Sequence, residues 1–317
     1  MGEPSVLLQE EQMSAQPLQS SARESGADTG GSRWTPRVFL AISGVSLLAA
    51  ALIMVWLVNH EESEAEPSGV LSHIHGMAVN PSDELLYVAT HEGLFVLGED
   101  GTPTRVGQGR QDLMGFTLVG PDHFLASGHP APADDGPSHL GLIESTDAGR
   151  TWEPVSLGGE ADFHVLRYSH GKAYGVDSVS GQLLVSEDLV NWEPRGSQQL
   201  FDLAVHPIDP DAIVATGPSG TLGSNDGGRT WEPIATESMV FLDWTNSGAL
   251  WGVGPGGDIF DNYDEGVTWR PAVGSAEATP TAFTVVGETM FLATDDGRIL
   301  EGDDFGRTWR EVHPPAS

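Results

Sequence analysis

The sequence contains no cysteine among its 317 residues. This absence excludes disulfide bonds, a thiolate nucleophile, and any zinc or iron–sulfur site that depends on cysteine. A metal site in this chain must therefore use histidine, methionine, carboxylate or backbone oxygen ligands.

Basic residues are scarce. Lysine and arginine together number 14 against 46 aspartates and glutamates, the net charge is −32, and Lys172 is the sole lysine. A surface of this sign repels phosphate backbones, so we expect no nucleic acid among the partners. The chain also has 40 glycines and 21 prolines, which without a collagen period indicate a fold with many tight turns.

Long apolar runs are rare, and the one that stands out is Val38–Val58, with 21 residues and no charge. It is long enough to span a membrane as a helix. Arg33 and Arg37 precede it and glutamates follow, which places the N-terminus in the cytoplasm. A cleaved signal peptide is the alternative, but the run is long and no small-residue cleavage motif follows it. The expected organisation is a disordered cytoplasmic tail (1–37), a single-pass transmembrane helix (38–58), an acidic linker (59–69) and an extracytoplasmic domain anchored to the cell membrane (70–317).

The remainder of the chain repeats itself with a period near 40 residues. Five segments end in tryptophan after a short acidic turn: STDAGRTW (145–152), SEDLVNW (186–192), SNDGGRTW (224–231), NYDEGVTW (262–269) and GDDFGRTW (302–309). Residues 70–107 form a further repeat, because AVNPSDELLYVAT (78–90) matches AVHPIDPDAIVAT (204–216). Four-stranded propeller blades have this period. Six repeats predict an all-β, six-bladed β-propeller, or a seven-bladed one if the termini complete another blade.

The turn pattern S/T-x-D-x-G-x-T-W resembles the Asp box, or BNR repeat, of sialidase-like and glycosyl hydrolase-like propellers. With the predicted anchor, the chain is similar to the membrane-anchored bacterial type. The resemblance implies that each box joins the third and fourth strands of a blade. It also implies that the aspartate caps backbone N–H groups, the glycine is left-handed and the tryptophan packs between blades. These structural roles fall on Asp147, Gly149, Trp152, Asp188, Trp192, Asp226, Gly228, Trp231, Asp264, Gly266, Trp269, Asp304, Gly306 and Trp309.

The same blade topology assigns the histidines to two faces. The turns between first and second strands share a face with the Asp boxes, and they contain His123, His170 and His206, which we interpret as solvated turn residues. Sialidase-like propellers bind their ligands on the opposite face.

On that opposite face the sequence predicts a metal site. Inner strands converge on the axis, and the first three repeats place histidine or methionine near the start of theirs. An expanded loop, HPAPADDGPSH (129–139), contributes more. The predicted ligands are His73, His75, Met114, His129 and His164, with His91 or His139 as further neighbours. Histidine and methionine without cysteine suit copper, with zinc as the second candidate. The structural alternative is a histidine pair that hydrogen-bonds the next blade and a methionine that fills the core.

Two other functions stay open. A sialidase binds the carboxylate of its substrate with three arginines, but Arg150, Arg229 and Arg307 occupy box positions on the other face, so a true sialidase is not expected.

A different glycosyl hydrolase-like or glycan-binding propeller needs two carboxyl groups about 5–10 Å apart. The candidates are Asp162, Asp202 and Asp243, which are also able to complete a metal shell together with Asp112. Trp244 and Trp251 are candidates for stacking on a sugar. The third possibility is a scaffold that binds another protein.

Overall fold

A computed structural model describes residues 71, 73–132, 134, 136–196 and 198–315. Within these ranges the chain forms 24 strands arranged as six four-stranded antiparallel sheets. No helix of the described part is long and apolar enough to cross a membrane. The tail, transmembrane helix and linker that the sequence predicts for residues 1–69 lie outside the described residues.

Each sheet is built from four consecutive strands, so one sequence repeat is one blade. Blades 1 to 3 comprise β1 (Ile74–Val79), β2 (Leu86–Thr90), β3 (Gly93–Leu97), β4 (Pro103–Arg105), β5 (Asp112–Gly120), β6 (His123–His129), β7 (Leu142–Ser145), β8 (Glu153–Ser156), β9 (Phe163–Ser169), β10 (Lys172–Asp177), β11 (Gln182–Ser186) and β12 (Trp192–Pro194). Blades 4 to 6 comprise β13 (Asp202–Val205), β14 (Ile213–Gly217), β15 (Gly220–Ser224), β16 (Glu232–Ala235), β17 (Phe241–Trp244), β18 (Leu250–Val253), β19 (Asp258–Asn262), β20 (Arg270–Ser275), β21 (Pro280–Val286), β22 (Thr289–Thr294), β23 (Ile299–Asp303) and β24 (Thr308–His313).

The six blades close into a ring. The first strand of each blade contacts the first strands of its neighbours, and β1 contacts both β5 and β21. In the described part of the chain, every blade is completed by its own four strands. The six-bladed prediction is therefore confirmed and the seven-bladed alternative was wrong. At the closure, Nδ1 of the buried His313 in β24 lies 3.1 Å from the carbonyl oxygen of Gly101 in blade 1.

The hydrophobic core lies between blades. Six buried clusters each draw on two neighbouring blades, for example Leu94 of blade 1 with Phe116 and Phe124 of blade 2. The second strands β2 and β14 are buried along their whole length. This explains their unbroken apolar sequence, because a strand buried on both faces does not alternate. The burial of apolar area between blades is the main force that stabilises the ring.

The Asp boxes occupy the turns between third and fourth strands, as the resemblance implied. In the Asp226 box, Oδ1 accepts the backbone N–H of Thr230 at 2.9 Å, and Ser224 Oγ accepts that of Gly228 at 2.8 Å. Gly228 has a φ of 88°, a left-handed conformation that favours glycine. The tryptophan of a box reaches the preceding blade: Trp192 Nε1 donates to Ser156 Oγ at 3.0 Å.

The last box departs from the capping role expected of its aspartate. Asp304 itself has a φ of 57°, and its carboxylate accepts a hydrogen bond from the Arg307 side chain at 3.4 Å. The physical reason is the first position of the box, where Gly302 replaces the serine or asparagine whose side-chain oxygen accepts backbone N–H groups in the other turns.

Candidate metal-binding site

Six histidines and two aspartates of blades 1 to 3 lie on the face opposite the Asp boxes. They sit at the starts of inner strands and in the turns between second and third strands, which meet at this end of the axis. They are His73, His75 and His91 from blade 1, Asp112, His129 and His139 from blade 2, and Asp162 and His164 from blade 3.

A glycine allows the two ends of blade 2 to meet. Gly128 precedes His129 with a φ of 143°, and a Cβ atom there would lie 2.0 Å from the carbonyl oxygen of Asp112. Only glycine tolerates so close an approach of two strands. As a result, the side chains of Asp112 and His129 emerge side by side.

The first group of potential ligands joins blades 1 and 2. Asp112 Oδ2 lies 2.7 Å from His91 Nδ1, and Asp112 Oδ1 lies 3.7 Å from His75 Nε2. Donor atoms of these three residues all lie within 4.8 Å of one another. His75 Nε2 and Asp112 Oδ1 are buried and have no hydrogen-bond partner among the residues that the structure describes.

The second group joins blades 2 and 3 in the same way. Asp162 Oδ2 accepts hydrogen bonds from His164 Nε2 at 2.9 Å and from Ser178 Oγ at 2.7 Å. His139 Nδ1 lies 3.9 Å from the same oxygen. His129, His139 and Asp162 also place donor atoms within 4.8 Å of one another. His139 Nδ1 and Asp162 Oδ1 are buried without a hydrogen-bond partner in the described part of the chain.

His129 connects the two groups. Its Nδ1 lies 3.3 Å from Asp112 Oδ2 and its Nε2 lies 3.5 Å from Asp162 Oδ2. One imidazole ring therefore stands between the two carboxylates.

The electrostatics give His75 and Asp162 the protonation states that metal ligands need. Burial, helped by the positive charge of His91, lowers the pKa of His75 to about 4. Burial raises the pKa of Asp162, but hydrogen bonds from His164 and Ser178 outweigh it and lower the pKa to about 2. The hydrogen bond to Asp162 raises the pKa of His164. Near neutral pH, His75 is therefore a neutral imidazole and Asp162 a carboxylate, the forms that bind metal ions.

The five ligands predicted from the sequence all lie in or beside this cluster. His75 belongs to the first group and His129 to the second, while His164 contacts Asp162. The ring of His73 packs edge-on against His91, with centroids 4.7 Å apart. Met114 lines the axial channel together with His75 and His164.

Sequence reasoning missed the pairing of the two aspartates with particular histidines. It considered Asp162 for catalysis, and Asp112 and Asp162 only in general terms as acids able to complete a metal shell. A signal was present, because Asp112, Asp162 and Asp202 each come directly before the first buried apolar residue of an inner strand. Three consecutive repeats thus place a carboxylate at the equivalent position of their inner strands, near the axis.

Asp202 and Asp243, two of the three aspartates considered for catalysis, tie neighbouring blades together. Asp202 accepts hydrogen bonds from Arg167 at 2.6 Å and from the backbone N–H of Leu242 at 2.8 Å. Asp243 accepts from the hydroxyl of Thr284 at 3.0 Å and from a backbone N–H of the same strand. These bonds hold the inner strands in register, so both carboxylates have structural partners.

The aromatic residues considered for sugar stacking also have partners. Trp251 is buried and stacks on Phe305 with centroids 5.2 Å apart, and Trp244 meets His206 edge-on at 4.6 Å. Both contacts support packing between elements of the propeller.

Of the three histidines assigned to the Asp-box face, His170 and His206 lie in turns, whereas His123 is the first residue of β6. His123 pairs with Glu144 at 2.6 Å within blade 2. His170 Nε2 lies 2.8 Å from the carbonyl oxygen of His206 in the next blade, and His206 Nδ1 accepts the backbone N–H of Ile208 at 3.2 Å. His170 is exposed, but His123 and His206 are half-buried rather than fully solvated.

No protein-family model matches the chain. It is 26% identical over 276 residues to a sialidase of Micromonospora viridifaciens, which covers 83% of this chain but 36% of the sialidase. It is 24% identical over 234 residues to the photosystem II assembly lipoprotein Ycf48 of Synechococcus sp. (strain CC9902), covering 68% of this chain and 67% of that protein. Among solved structures, a chain of a nidogen–laminin complex superposes with a TM-score of 0.58 at 12% identity, covering 73% of this chain and 93% of that chain. With its repeated Asp boxes and six closed blades, the protein is a sialidase-like β-propeller of the BNR type.

Proposed function

We propose that the propeller binds divalent transition-metal ions at the histidine–aspartate cluster on the axial face opposite the Asp boxes. The observation that carries the proposal is a set of four buried, unpartnered atoms in one place: His75 Nε2, Asp112 Oδ1, His139 Nδ1 and Asp162 Oδ1. A buried polar atom without a partner costs about 1–3 kcal/mol, and more when it is charged. A metal ion bound at these atoms removes that cost.

The spacing of these atoms fits one ion between two ligands. Two ligands about 2.1 Å from a tetrahedral ion lie about 3.4 Å apart. His75 Nε2 and Asp112 Oδ1 are separated by 3.7 Å, and a small side-chain rotation is enough to close this pair on an ion. In the other half, His139 Nδ1 lies 3.9 Å from Oδ2, the second carboxylate oxygen of Asp162.

The donor atoms indicate the class of metal. Imidazole and carboxylate suit borderline divalent ions, and among these copper(II) binds such sites more tightly than zinc. Copper(I) prefers soft sulfur ligands, which the cluster offers only through Met114 of the adjoining channel. The net charge of −32 favours the approach of cations. With the transmembrane helix predicted for residues 38–58, the proposed metal site would lie on the extracytoplasmic side of the membrane.

Metal analysis tests the proposal. The full chain, purified without a polyhistidine tag, is incubated with copper(II) or zinc, desalted and analysed by inductively coupled plasma mass spectrometry. The wild type is expected to retain metal and His75→Ala/His139→Ala to lose it. His170→Ala on the opposite face is the control and should retain metal as the wild type does. A wild type without bound metal, or equal retention by the double variant, contradicts the proposal.

Protein binding is a second candidate function, favoured by the similarity to Ycf48 along two thirds of that assembly protein. Exposed apolar residues of neighbouring blades 4 and 5 offer a surface for an apolar segment of a partner. Ile208, Tyr263 and Val267, all on the Asp-box face, are 82%, 64% and 54% exposed.

Site-specific photo-cross-linking in cells tests this second function. A cross-linker at Ile208 is expected to trap a defined partner, and Val267→Glu should abolish the product. A cross-linker at Val179, which is equally apolar and exposed on the opposite face, serves as the control. Identical products from both positions count against a specific protein-binding surface.

A further inference from the structure

The cluster has two matching halves. In the first half, Asp112 Oδ2 lies 2.7 Å from His91 Nδ1, while Oδ1 has no partner among the described residues and lies beside the equally unpartnered His75 Nε2. In the second half, Asp162 uses Oδ2 for the hydrogen bond from His164, while its Oδ1 is unpartnered, as is His139 Nδ1. Each half thus has one carboxylate oxygen that orients an imidazole and one that is free to bind an ion.

His129 separates the halves. Its ring lies between Asp112 and Asp162, with one nitrogen facing each carboxylate at 3.3 and 3.5 Å. A ligand atom lies about 2 Å from its ion. A single ion on one side of the ring therefore satisfies the unpartnered atoms of one half and leaves those of the other half buried and unpaired.

Histidine chemistry explains how one ring serves both halves. A neutral imidazole has one N–H donor and one lone pair. When Nε2 of His129 binds an ion in the second half, its Nδ1–H donates to Asp112, the carboxylate of the first half. A carboxylate that hydrogen-bonds a metal-binding histidine without contacting the ion orients the imidazole ring and makes it more basic.

We infer that the cluster is a two-ion centre, with one divalent transition-metal ion at His75, His91 and Asp112 and a second at His129, His139 and Asp162. This inference rests on the proposed metal-binding function and adds the number and placement of the ions. The hydrogen bond between His129 and Asp112 links the two positions.

Counting ions in matched variants tests the inference. His91 belongs only to the first half and His139 only to the second. Both side chains are partly exposed, His91 at 39% and His139 at 28%. The full chain without a polyhistidine tag is dialysed against excess zinc, and bound zinc per chain is measured. We expect two ions for the wild type and for the His170→Ala control, and one ion each for His91→Ala and His139→Ala. Thermal unfolding of the metal-free variants verifies that they are folded.

Electron paramagnetic resonance of the copper(II)-loaded chain gives an independent readout. Two copper ions on either side of one imidazole ring are expected to show a dipole-broadened signal. Either single variant should give the narrow signal of an isolated ion.

The outcomes separate the inference from the proposed function. One ion in the saturated wild type, or loss of all metal in either single variant, means one shared position and overturns the two-ion centre while metal binding stands. No bound ion in the wild type overturns both.

Discussion

Nδ1 of His91 lies 2.7 Å from Oδ2 of Asp112 across the boundary between the first and second blades. A proton on Nδ1 faces the carboxylate and leaves Nε2 as the nitrogen with a lone pair, the form in which a neutral imidazole binds metal. Two blades thereby build one half of the candidate site together. The geometry at the axial mouth depends on how the blades meet as well as on the residues that each contributes.

Replacing the Asp112 carboxylate with an amide tests its role. Asp112→Asn keeps the size of the side chain but removes the negative charge, so we expect metal affinity to fall by about 10–100-fold. Competition against a chelator measures the affinity. Asp209→Asn, in an exposed turn of blade 4, is the matched control and should leave the affinity unchanged. Equal affinity of Asp112→Asn and the wild type excludes this carboxylate from the site.

The ion pair between the buried Asp202 and the partly buried Arg167 is expected to stabilise the ring. Asp202→Ala removes the partner of Arg167 and leaves the N–H of Leu242 without its acceptor. Breaking a buried pair from one side lowers the free energy of unfolding by about 3–5 kcal/mol.

A surface ion pair provides the comparison, measured by urea unfolding. Glu301→Ala breaks the pair with Arg310, whose side chain is 65% exposed, and should change stability by about 1 kcal/mol or less. Similar losses for Asp202→Ala and Glu301→Ala contradict the structural role assigned to Asp202.

Ring closure is sensitive to a single glycine. Gly101 has a φ of 77°, and a Cβ atom there would lie 1.8 Å from the carbonyl oxygen of Val312 in blade 6. Gly171 has nearly the same φ, 75°, but a Cβ atom at that residue would have no neighbouring atom within 4 Å. Both alanine variants carry a left-handed backbone cost of about 1–2 kcal/mol. Gly101→Ala is expected to lose about 1–3 kcal/mol more through steric overlap.

Thermal or urea unfolding of the two glycine variants measures this difference. Because their backbone angles match, the excess loss reports the contact between the last and first blades. Equal destabilisation indicates that the blades meet less closely at Gly101 than the structure places them.

The Asp boxes predict a pH dependence of stability. Hydrogen bonds from the Thr230 hydroxyl and amide lower the pKa of Asp226 from 3.8 to about 2. A carboxyl group with a lowered folded-state pKa stabilises the fold above its unfolded pKa and loses that effect as the pH falls toward the folded value. The stability difference between wild type and Asp226→Asn should therefore be constant above about pH 5 and shrink toward pH 2.

Unfolding midpoints of the two proteins between pH 6 and pH 2 test this expectation. The other acidic groups titrate in both proteins and cancel in the difference. A gap that stays constant down to about pH 2 shows that the Asp226 carboxylate is not held in its charged form by the turn.

Much of the fold was predictable from the sequence, because its signals are local. An Asp box closes its turn with atoms that lie within a few residues of one another, as Ser224, Asp226 and Gly228 do. The same local chemistry recurs every 38 to 40 residues, so the period and the face of each turn follow from the sequence alone. The position of each tryptophan next to the start of a fourth strand follows in the same way.

The number of blades and the pairing within the site depended on the tertiary structure. The ring closes with six blades because β1 meets β21, a contact between the two ends of the domain that no local pattern encodes. The five predicted ligands were placed on the correct face, since the face depends only on the turn.

Which atoms meet was decided by the packing of three blades. Asp112 faces His91 of the preceding blade, and His129 lies between Asp112 and Asp162 of the following one. The sequence by itself determined the repeat, the turns and the side of the propeller on which each histidine lies. Only the closed ring decided which carboxylate each histidine meets, because those contacts form between blades whose spacing is set by the burial of the core.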